Sequence, residues 1–127
     1  MTILDTSIWV ALINKSDTCY EKAKKIAKET NLEELEIFDY TYIETLTVLR
    51  NKVSETACNN FLNFVKDYQK NITLSNEEIF SLANAFFFQD KTLSFTDCLL
   101  IATAKINSAK LLTFDKALEK AWNKVKN

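Results

Sequence analysis

The sequence alternates short apolar runs with longer segments of helical periodicity, and this alternation restricts the fold more than any other feature. The apolar runs that we expect to form strands are residues 2–4, 36–38, 71–74 and 110–114. When helices separate successive strands, the strands are parallel and joined by right-handed crossovers. The pattern therefore predicts an α/β protein, a single three-layer α/β/α sandwich over residues 1–127. Its central parallel sheet has four strands, or five if the C-terminal segment adds one.

Helical segments fill the intervals between the strands. We expect helices at residues 6–14, 17–30, 41–53, 76–89 and 94–108, and two more that begin at Ser54 and Asp115. In the 41–53 helix and the helix after Ser54, the spacing predicts these inward residues: Ile43, Leu46, Leu49, Val53, Phe61, Leu62 and Val65. The chain has no glycine and no proline, so we expect Asn31, Asn71 and Asn107 to take the left-handed conformation that stops a helix.

The absence of histidine and glycine removes several classes of enzyme. Without histidine there is no Ser-His-Asp or Cys-His nucleophile, no histidine general base and no histidine-ligated zinc. Without glycine the chain lacks the Gly-rich phosphate loops of P-loop and dinucleotide-binding proteins. The 16 basic and 17 acidic residues give a net charge of −1, so no overall positive charge indicates a nucleic-acid partner.

The three cysteines, Cys19, Cys58 and Cys98, are odd in number and too widely spaced for a zinc site or a disulfide framework. We expect free thiols, which suit a reducing cytoplasm. The apolar N-terminal stretch is interrupted by Asp5 and has no positive charge before it. We therefore expect neither a signal peptide nor a membrane-spanning segment, and a cytoplasmic protein.

Two acidic residues follow predicted strands, Asp5 after the first and Asp115 after the last. The carboxyl ends of parallel strands open onto one crevice, so these carboxylates meet there if the two strands are neighbours. Asp97, at the start of an apolar helix, is expected to face the same edge. Each acid also has an ordinary explanation, because Asp5 and Asp115 suit helix N-caps and the stretch from Ser94 to Asp97 fits a capping box.

A cluster of acids at one edge repels itself by several kcal/mol at low effective dielectric unless a cation lies among them. Carboxylate oxygens suit hard divalent cations, and in a chain without histidine the expected metal is Mg²⁺ or Mn²⁺. Such an ion lowers the pKa of an attacking water and stabilises charge on a phosphate. The acids therefore point to phosphodiester hydrolysis.

Four stretches, in order along nearly the whole chain, carry a resemblance to a known family. They are ILDTSIWVALI with Asp5 and Ser7, YIETLTVLR with Glu44, LSFTDCLLIATAK with Asp97, and LLTFDKALEK with Thr113 and Asp115. As a set they resemble the PIN-domain family and, within it, the compact VapC-like toxins of prokaryotic toxin–antitoxin pairs.

The resemblance implies a metal-dependent endoribonuclease whose Mg²⁺ or Mn²⁺ is held by four acids, Asp5, Glu44, Asp97 and Asp115. The choice of Glu44 rests mainly on the resemblance, since a solvated helix flank also explains it. Ser7 and Thr113 match positions where the family often carries a hydroxyl near the metal, although local capping explains them equally well. The resemblance also implies a cognate antitoxin that packs near the first helices, where Trp9 is a candidate contact.

An RNA substrate requires cations close to the metal site. Arg50 and Lys52 end the Glu44 helix, and Lys116 and Lys120 follow Asp115. Of these, Arg50 and Lys116 are the expected phosphate contacts, because each lies near a proposed ligand. The lysines of residues 22–28 are better explained as a solvated helix face. Three consecutive phenylalanines, residues 86–88, cannot all face one interior, so we expect one at a homodimer interface, with placement in the core as the alternative.

Three functions remain open at this point. The leading one is a toxin-type ribonuclease, and the second is a housekeeping PIN nuclease that acts in RNA processing without an antitoxin. The third is a non-catalytic interaction module whose acids only cap helices. A phosphatase of the haloacid-dehalogenase type is disfavoured, because Ser7 stands where such an enzyme needs a second acid.

Overall fold

Four parallel strands form the central sheet, in the order β3-β2-β1-β4. They are β1 (Thr2–Leu4), β2 (Leu35–Phe38), β3 (Ile72–Thr73) and β4 (Lys110–Leu112). In this computed structural model, which describes residues 1–68 and 71–127, Ile3 of β1 is in register with Glu36 on one side and Leu111 on the other. The predicted α/β/α sandwich is confirmed, and the described residues contain no fifth strand after β4.

Helices connect and cover the strands, as the alternation in the sequence predicts. Those in the described residues are α1 (Thr6–Ile13), α2 (Tyr20–Glu29), α3 (Asp39–Lys52), α4 (Glu55–Asp67), α5 (Glu77–Gln89), α6 (Phe95–Asn107) and α7 (Lys116–Val125). A short 3-10 turn, Leu32–Glu34, precedes β2. Across the part of the chain that the structure describes, no helix combines the length and the apolar character needed to cross a bilayer.

The sheet divides the apolar interior into two cores. Helices α5, α6 and α7 pack over one face, which presents Ile3 and Leu111. Helices α1 to α4 pack over the other face, where Trp9 is 1% exposed and meets the Phe61 ring edge-on at 5.4 Å. Trp9 is therefore a core residue, and the prediction that it contacts an antitoxin is wrong.

The inward face of α3 is predicted correctly in part. Leu49 is buried as expected, and Leu46 and Val53 are partly buried against the core, but the rest of the buried stripe is polar. Thr41, Thr45 and Leu49 are buried at intervals of four residues. Ile43 lies on the other side of the helix and is 63% exposed, so the prediction that it points inward is wrong. Leu62 of α4 is also exposed, so the prediction that it points inward is wrong. Phe61, one residue earlier and about one hundred degrees away around the helix, is the residue that packs in the core.

The helix stops differ from those that the sequence predicts. Ser108, with φ of 50°, is the residue of the described chain that takes the left-handed conformation, and it ends α6 one position after Asn107. Asn31 has φ of −74° and caps the 3-10 turn through its side chain. Asn107, the last residue of α6, does not have a positive φ. The prediction of a left-handed asparagine is therefore wrong at Asn31 and Asn107, whereas the φ of Asn71 depends on residue 70, which lies outside the described residues.

Candidate active site

A cleft of about 390 Å³ opens at the carboxyl ends of β1 and β4. These strands are neighbours, and the Asp5 amide donates to the carbonyl oxygen of Leu112 at 3.0 Å, so the residues after each strand lie side by side. The acidic residues that line the cleft are Asp5, Asp17, Glu44, Asp97 and Asp115. The fold thus gathers the four acids that the sequence singles out and adds Asp17.

Asp5 is the most rigidly held of these acids. It follows β1 directly, is 7% exposed, and caps α1 by accepting a hydrogen bond from the Thr6 amide on Oδ1 at 2.7 Å. Its Oδ2 atom accepts hydrogen bonds from the hydroxyls of Ser7, at 3.0 Å, and Thr113, at 2.7 Å. Because both carboxylate oxygens accept bonds, Asp5 is oriented before any ligand arrives.

Ser7 and Thr113 make hydrogen bonds across the sheet in addition to local ones. While the Thr113 hydroxyl donates to Asp5, it accepts a bond from the Asp115 amide at 2.9 Å. The Ser7 hydroxyl donates to the same Asp5 oxygen and accepts from the Phe114 amide at 3.1 Å. The two hydroxyls therefore join the end of β1 to the end of β4 while also making local turn bonds, and their role near a metal stays a prediction.

Asp97 and Asp115 both perform the capping that the sequence predicts. Asp115 Oδ1 accepts from the amides of Ala117, at 2.9 Å, and Leu118, at 3.1 Å, and so caps α7. Asp97 forms a reciprocal capping box with Ser94 at the start of α6. Since these residues also line the cleft, capping and a site role are compatible.

Glu44 reaches the cleft because of how α3 packs. The buried stripe of α3 includes Thr45, whose hydroxyl donates to the Thr6 hydroxyl at 3.3 Å and fixes α3 against the start of α1. Glu44 stands one position away from this stripe, and it is half-buried at the cleft wall.

The charge on Glu44 is disfavoured by its surroundings. Burial is the main cause that raises the pKa of Glu44, and the Asp5 and Asp97 carboxylates raise it further. A hydrogen bond with the Thr96 side chain opposes these effects. Thr96 is a neighbour of the site that the sequence analysis missed, since a threonine in the first turn of a helix gives no sign of a partner on another helix.

The charge on Asp97 is also disfavoured by neighbouring carboxylates. Burial raises the pKa of Asp97, hydrogen bonds from Ser94 lower it, and the carboxylates of Asp5 and Asp115 raise it. The four acids are therefore close enough to interact electrostatically, and the cleft concentrates negative charge.

The donor set of the cleft fits a hard divalent cation, because all of its acids offer carboxylate oxygens and the chain contains no histidine. Within residues 1–68 and 71–127, no three histidine, cysteine, aspartate or glutamate side chains are grouped tightly enough to hold a metal ion as they stand. Asp5 is already fixed by hydrogen bonds. Binding of a metal ion here would therefore require side-chain adjustment by acids other than Asp5.

The basic residue that lines the cleft is Lys52, and neither of the two cations preferred from the sequence. Arg50 and Lys116 are exposed and are not among the described residues that line the cleft, so their contact with phosphate stays a prediction. Lys52 lies eight residues after Glu44, with Val48 midway, and all three line the cleft. Helical spacing from Glu44 is the signal that identifies Lys52 in preference to Arg50.

Asp17 is the acid that the sequence analysis did not place at the site. Its Oδ1 atom accepts from the Cys19 amide at 2.8 Å, which makes a turn before α2. The helix consequently begins at Tyr20 and not at residue 17 as predicted. An aspartate in such a turn gives the sequence pattern of an ordinary helix cap, so no signal in the sequence marks it as a residue of the cleft.

Two solved structures share this fold. VapC20 from Mycobacterium tuberculosis, described as a sarcin-ricin-loop-cleaving toxin, superposes with a TM-score of 0.84 at 18% identity and 95% coverage of both chains. FitAcB from Neisseria gonorrhoeae superposes with a TM-score of 0.74 at 17% identity, covering 97% of this chain and 94% of that one. At such identities the similarity concerns the fold.

Comparison with curated proteins finds no significant sequence match. The profile of the PIN domain, in contrast, matches residues 2–123. This match spans nearly the entire chain and includes the four acids that the sequence analysis singled out. The protein therefore belongs to the PIN-domain family.

Proposed function

We propose that this protein is a Mg²⁺- or Mn²⁺-dependent endoribonuclease that hydrolyses RNA phosphodiester bonds. The observation that carries the proposal is a single cleft, at the carboxyl edge of the sheet, lined by acids from separate elements of the fold. PIN domains are generally nucleases, and this chain belongs to that family. The description of VapC20 as a sarcin-ricin-loop-cleaving toxin adds support for RNA as the substrate.

In this proposal the metal ion is held by four acids, Asp5, Glu44, Asp97 and Asp115. When bound, such an ion lowers the pKa of the attacking water and stabilises charge on the phosphate. Ser7 and Thr113 keep Asp5 oriented, because their hydroxyls donate to its Oδ2 atom.

Positive charge for the substrate comes from the rim of the cleft. Lys52 lines the cleft and offers its ammonium group to a phosphate of the RNA. Arg50 and Lys116 are proposed as contacts farther along the substrate, outside the cleft itself.

We further propose that the nuclease is the toxin of a type II toxin–antitoxin pair, and that it acts in the cytoplasm as a homodimer. Phe87 and Phe88, which are 40% and 81% exposed at the end of α5, support burial against a second copy. The free thiols of the three cysteines support a reducing compartment. A housekeeping PIN nuclease is the alternative, and a small adjacent reading frame whose product relieves growth arrest distinguishes the toxin from it.

Cleavage of a mixed-sequence RNA in Mn²⁺ tests the enzymatic proposal directly. We expect wild-type protein to cleave with Mn²⁺ and to stop with EDTA, and Asp5→Asn and Asp97→Asn to lose activity on the order of a thousandfold. The exposed Asp67, outside the cleft, provides the matched control, and Asp67→Asn should cleave like wild type. If Asp97→Asn leaves cleavage unchanged and Mn²⁺ does not bind, the acids serve as helix caps and the non-catalytic module is correct.

A further inference from the structure

The β4 strand has a neighbouring strand on one side only. The Lys110 amide donates to the Met1 carbonyl, and the Leu112 carbonyl accepts from the Asp5 amide, so residues 110 and 112 bond toward β1. Alternate residues of a strand direct their backbone groups to opposite sides. The N–H and C=O of Leu111 therefore face the open edge, where the described chain places no further strand.

Two depressions flank this open edge, one on each face of the sheet. The first has a volume of about 520 Å³ and lies between β4 and α7, where its lining includes Leu111, Trp122 and Asn123. The second has a volume of about 180 Å³ and lies between β4 and the end of α2, where its lining includes Ile26 and Leu112. A strand added to β4 directs successive side chains to opposite faces, so its side chains would enter the two depressions in turn.

The two depressions differ in charge. The one beside α2 is lined by Glu29 and Glu34 against a single basic residue, Lys110. The one beside α7 offers the buried indole of Trp122, and its charged lining is one acid, Glu119, against two basic residues, Lys110 and Lys126. The α2 side therefore favours a basic side chain, and the α7 side favours an apolar one.

We propose that the open edge of β4 binds an extended segment of a partner protein in which apolar and basic residues alternate. The segment adds to the sheet as a fifth strand through the backbone groups of Leu111, with apolar side chains toward Trp122 and basic ones toward Glu29 and Glu34. Exposed sheet edges pair readily with extended chains, and the paired depressions give this edge a preference in sequence.

Hydrogen exchange of the full chain with a synthetic peptide tests this docking. The probe is the acetylated and amidated hexapeptide Arg-Val-Arg-Val-Arg-Val, observed by amide exchange in solution NMR. We expect exchange at the Leu111 amide to slow by about tenfold, while the Lys110 amide, already bonded to β1, changes little. The same peptide with every amide N-methylated cannot pair as a strand and should leave Leu111 unchanged.

Charge variants of the α2 side separate strand addition from general attraction. Glu29 and Glu34 are exposed, so the double variant Glu29→Gln/Glu34→Gln should fold normally and weaken peptide binding by about threefold. Glu33→Gln, a neighbouring exposed residue outside the depression, should bind like wild type. Equal binding of the methylated peptide, or no protection at Leu111, overturns the proposal. Protection of Leu111 without peptide that disappears on dilution assigns the edge to a second copy and also overturns it.

Discussion

The two sides of the acidic cleft are built on different principles. On the strand side, Asp5 and Asp115 follow neighbouring strands and are linked by hydroxyl groups, with Thr113 bonded to both residues. On the helix side, Glu44 comes from the middle of α3 and Asp97 from the first turn of α6, and burial, together with other carboxylates, raises the pKa of each. The strand side is thus ordered in advance by hydrogen bonds, whereas the helix side retains repulsion for a cation to relieve.

If the cleft binds the proposed metal ion, this difference gives its two sides complementary parts. A carboxylate that is already oriented loses little conformational freedom when it coordinates, so Asp5 provides a fixed reference point. Glu44 and Asp97 gain most from a cation, because it neutralises charges that now repel. Variants that affect one side at a time therefore have distinguishable consequences.

Among variants that act on one side of the cleft, removal of the Thr113 hydroxyl is expected to change activity most. Thr113→Val keeps the shape of the side chain but removes the bond to Asp5 and the acceptor for the Asp115 amide. We expect RNA cleavage to fall by about 10- to 100-fold, with a similar loss of Mn²⁺ affinity measured by titration.

The control for this variant is Thr56→Val, an exposed threonine in the first turns of α4 and away from the cleft. It should leave both cleavage and Mn²⁺ affinity unchanged. A Thr113→Val protein that binds Mn²⁺ and cleaves like wild type would show that the strand side does not depend on its hydroxyls.

On the helix side, removal of a basic residue near the end of α3 is expected to have a smaller effect, on the KM for RNA. Lys52 lines the cleft and Arg50 does not, although both are exposed residues near the end of α3. We expect Lys52→Gln to raise KM for RNA by about fivefold with little change in kcat, as for the loss of about 1 kcal/mol from an exposed contact. Arg50→Gln should change KM less, and steady-state cleavage kinetics compare the two. A larger effect at Arg50 would place the RNA on the opposite side of α3.

The strand side was more predictable from the sequence than the helix side, for a physical reason. Asp5 and Asp115 are placed by backbone geometry that local patterns report, namely an apolar run followed by a capping acid. The parallel sheet follows from the alternation of elements in the same way.

The position of Glu44 on the helix side depends on which face of α3 is buried, and the sequence reported this face only in part. Thr41 and Thr45 form the buried stripe, while the apolar Ile43 is exposed. Apolar spacing therefore placed Leu49 correctly in the core but misplaced Ile43. Closeness to Glu44 in the sequence favours Arg50 over Lys52 as a phosphate contact, yet Lys52 is the one that lines the cleft. The hydrogen bond between Thr96 and Glu44 joins two helices far apart in the sequence, so no local pattern reveals it.

The smallest expected change is in the free energy of unfolding of the metal-free protein, and it should have opposite signs for variants on the two sides of the cleft. In EDTA at neutral pH, Glu44→Gln removes a charge that burial and the other carboxylates disfavour, so the folded state should gain on the order of 0.5 kcal/mol, since the half-exposed group is partly screened by solvent. Asp5→Asn instead weakens the hydrogen bonds that Asp5 accepts, and it should lower stability. Urea unfolding measures both changes.

The pH dependence of this contrast follows from the direction of the pKa shift. Because the pKa of Glu44 is raised in the folded state above its usual 4.5, the ionised group reduces stability increasingly as the pH rises through that value. The advantage of Glu44→Gln should therefore be present at neutral pH and disappear toward pH 4, where the wild-type carboxyl is largely protonated in both states. If Glu44→Gln destabilises the metal-free protein at pH 7, its carboxylate makes favourable contacts that outweigh the repulsion, and both sides of the cleft are ordered before metal binds.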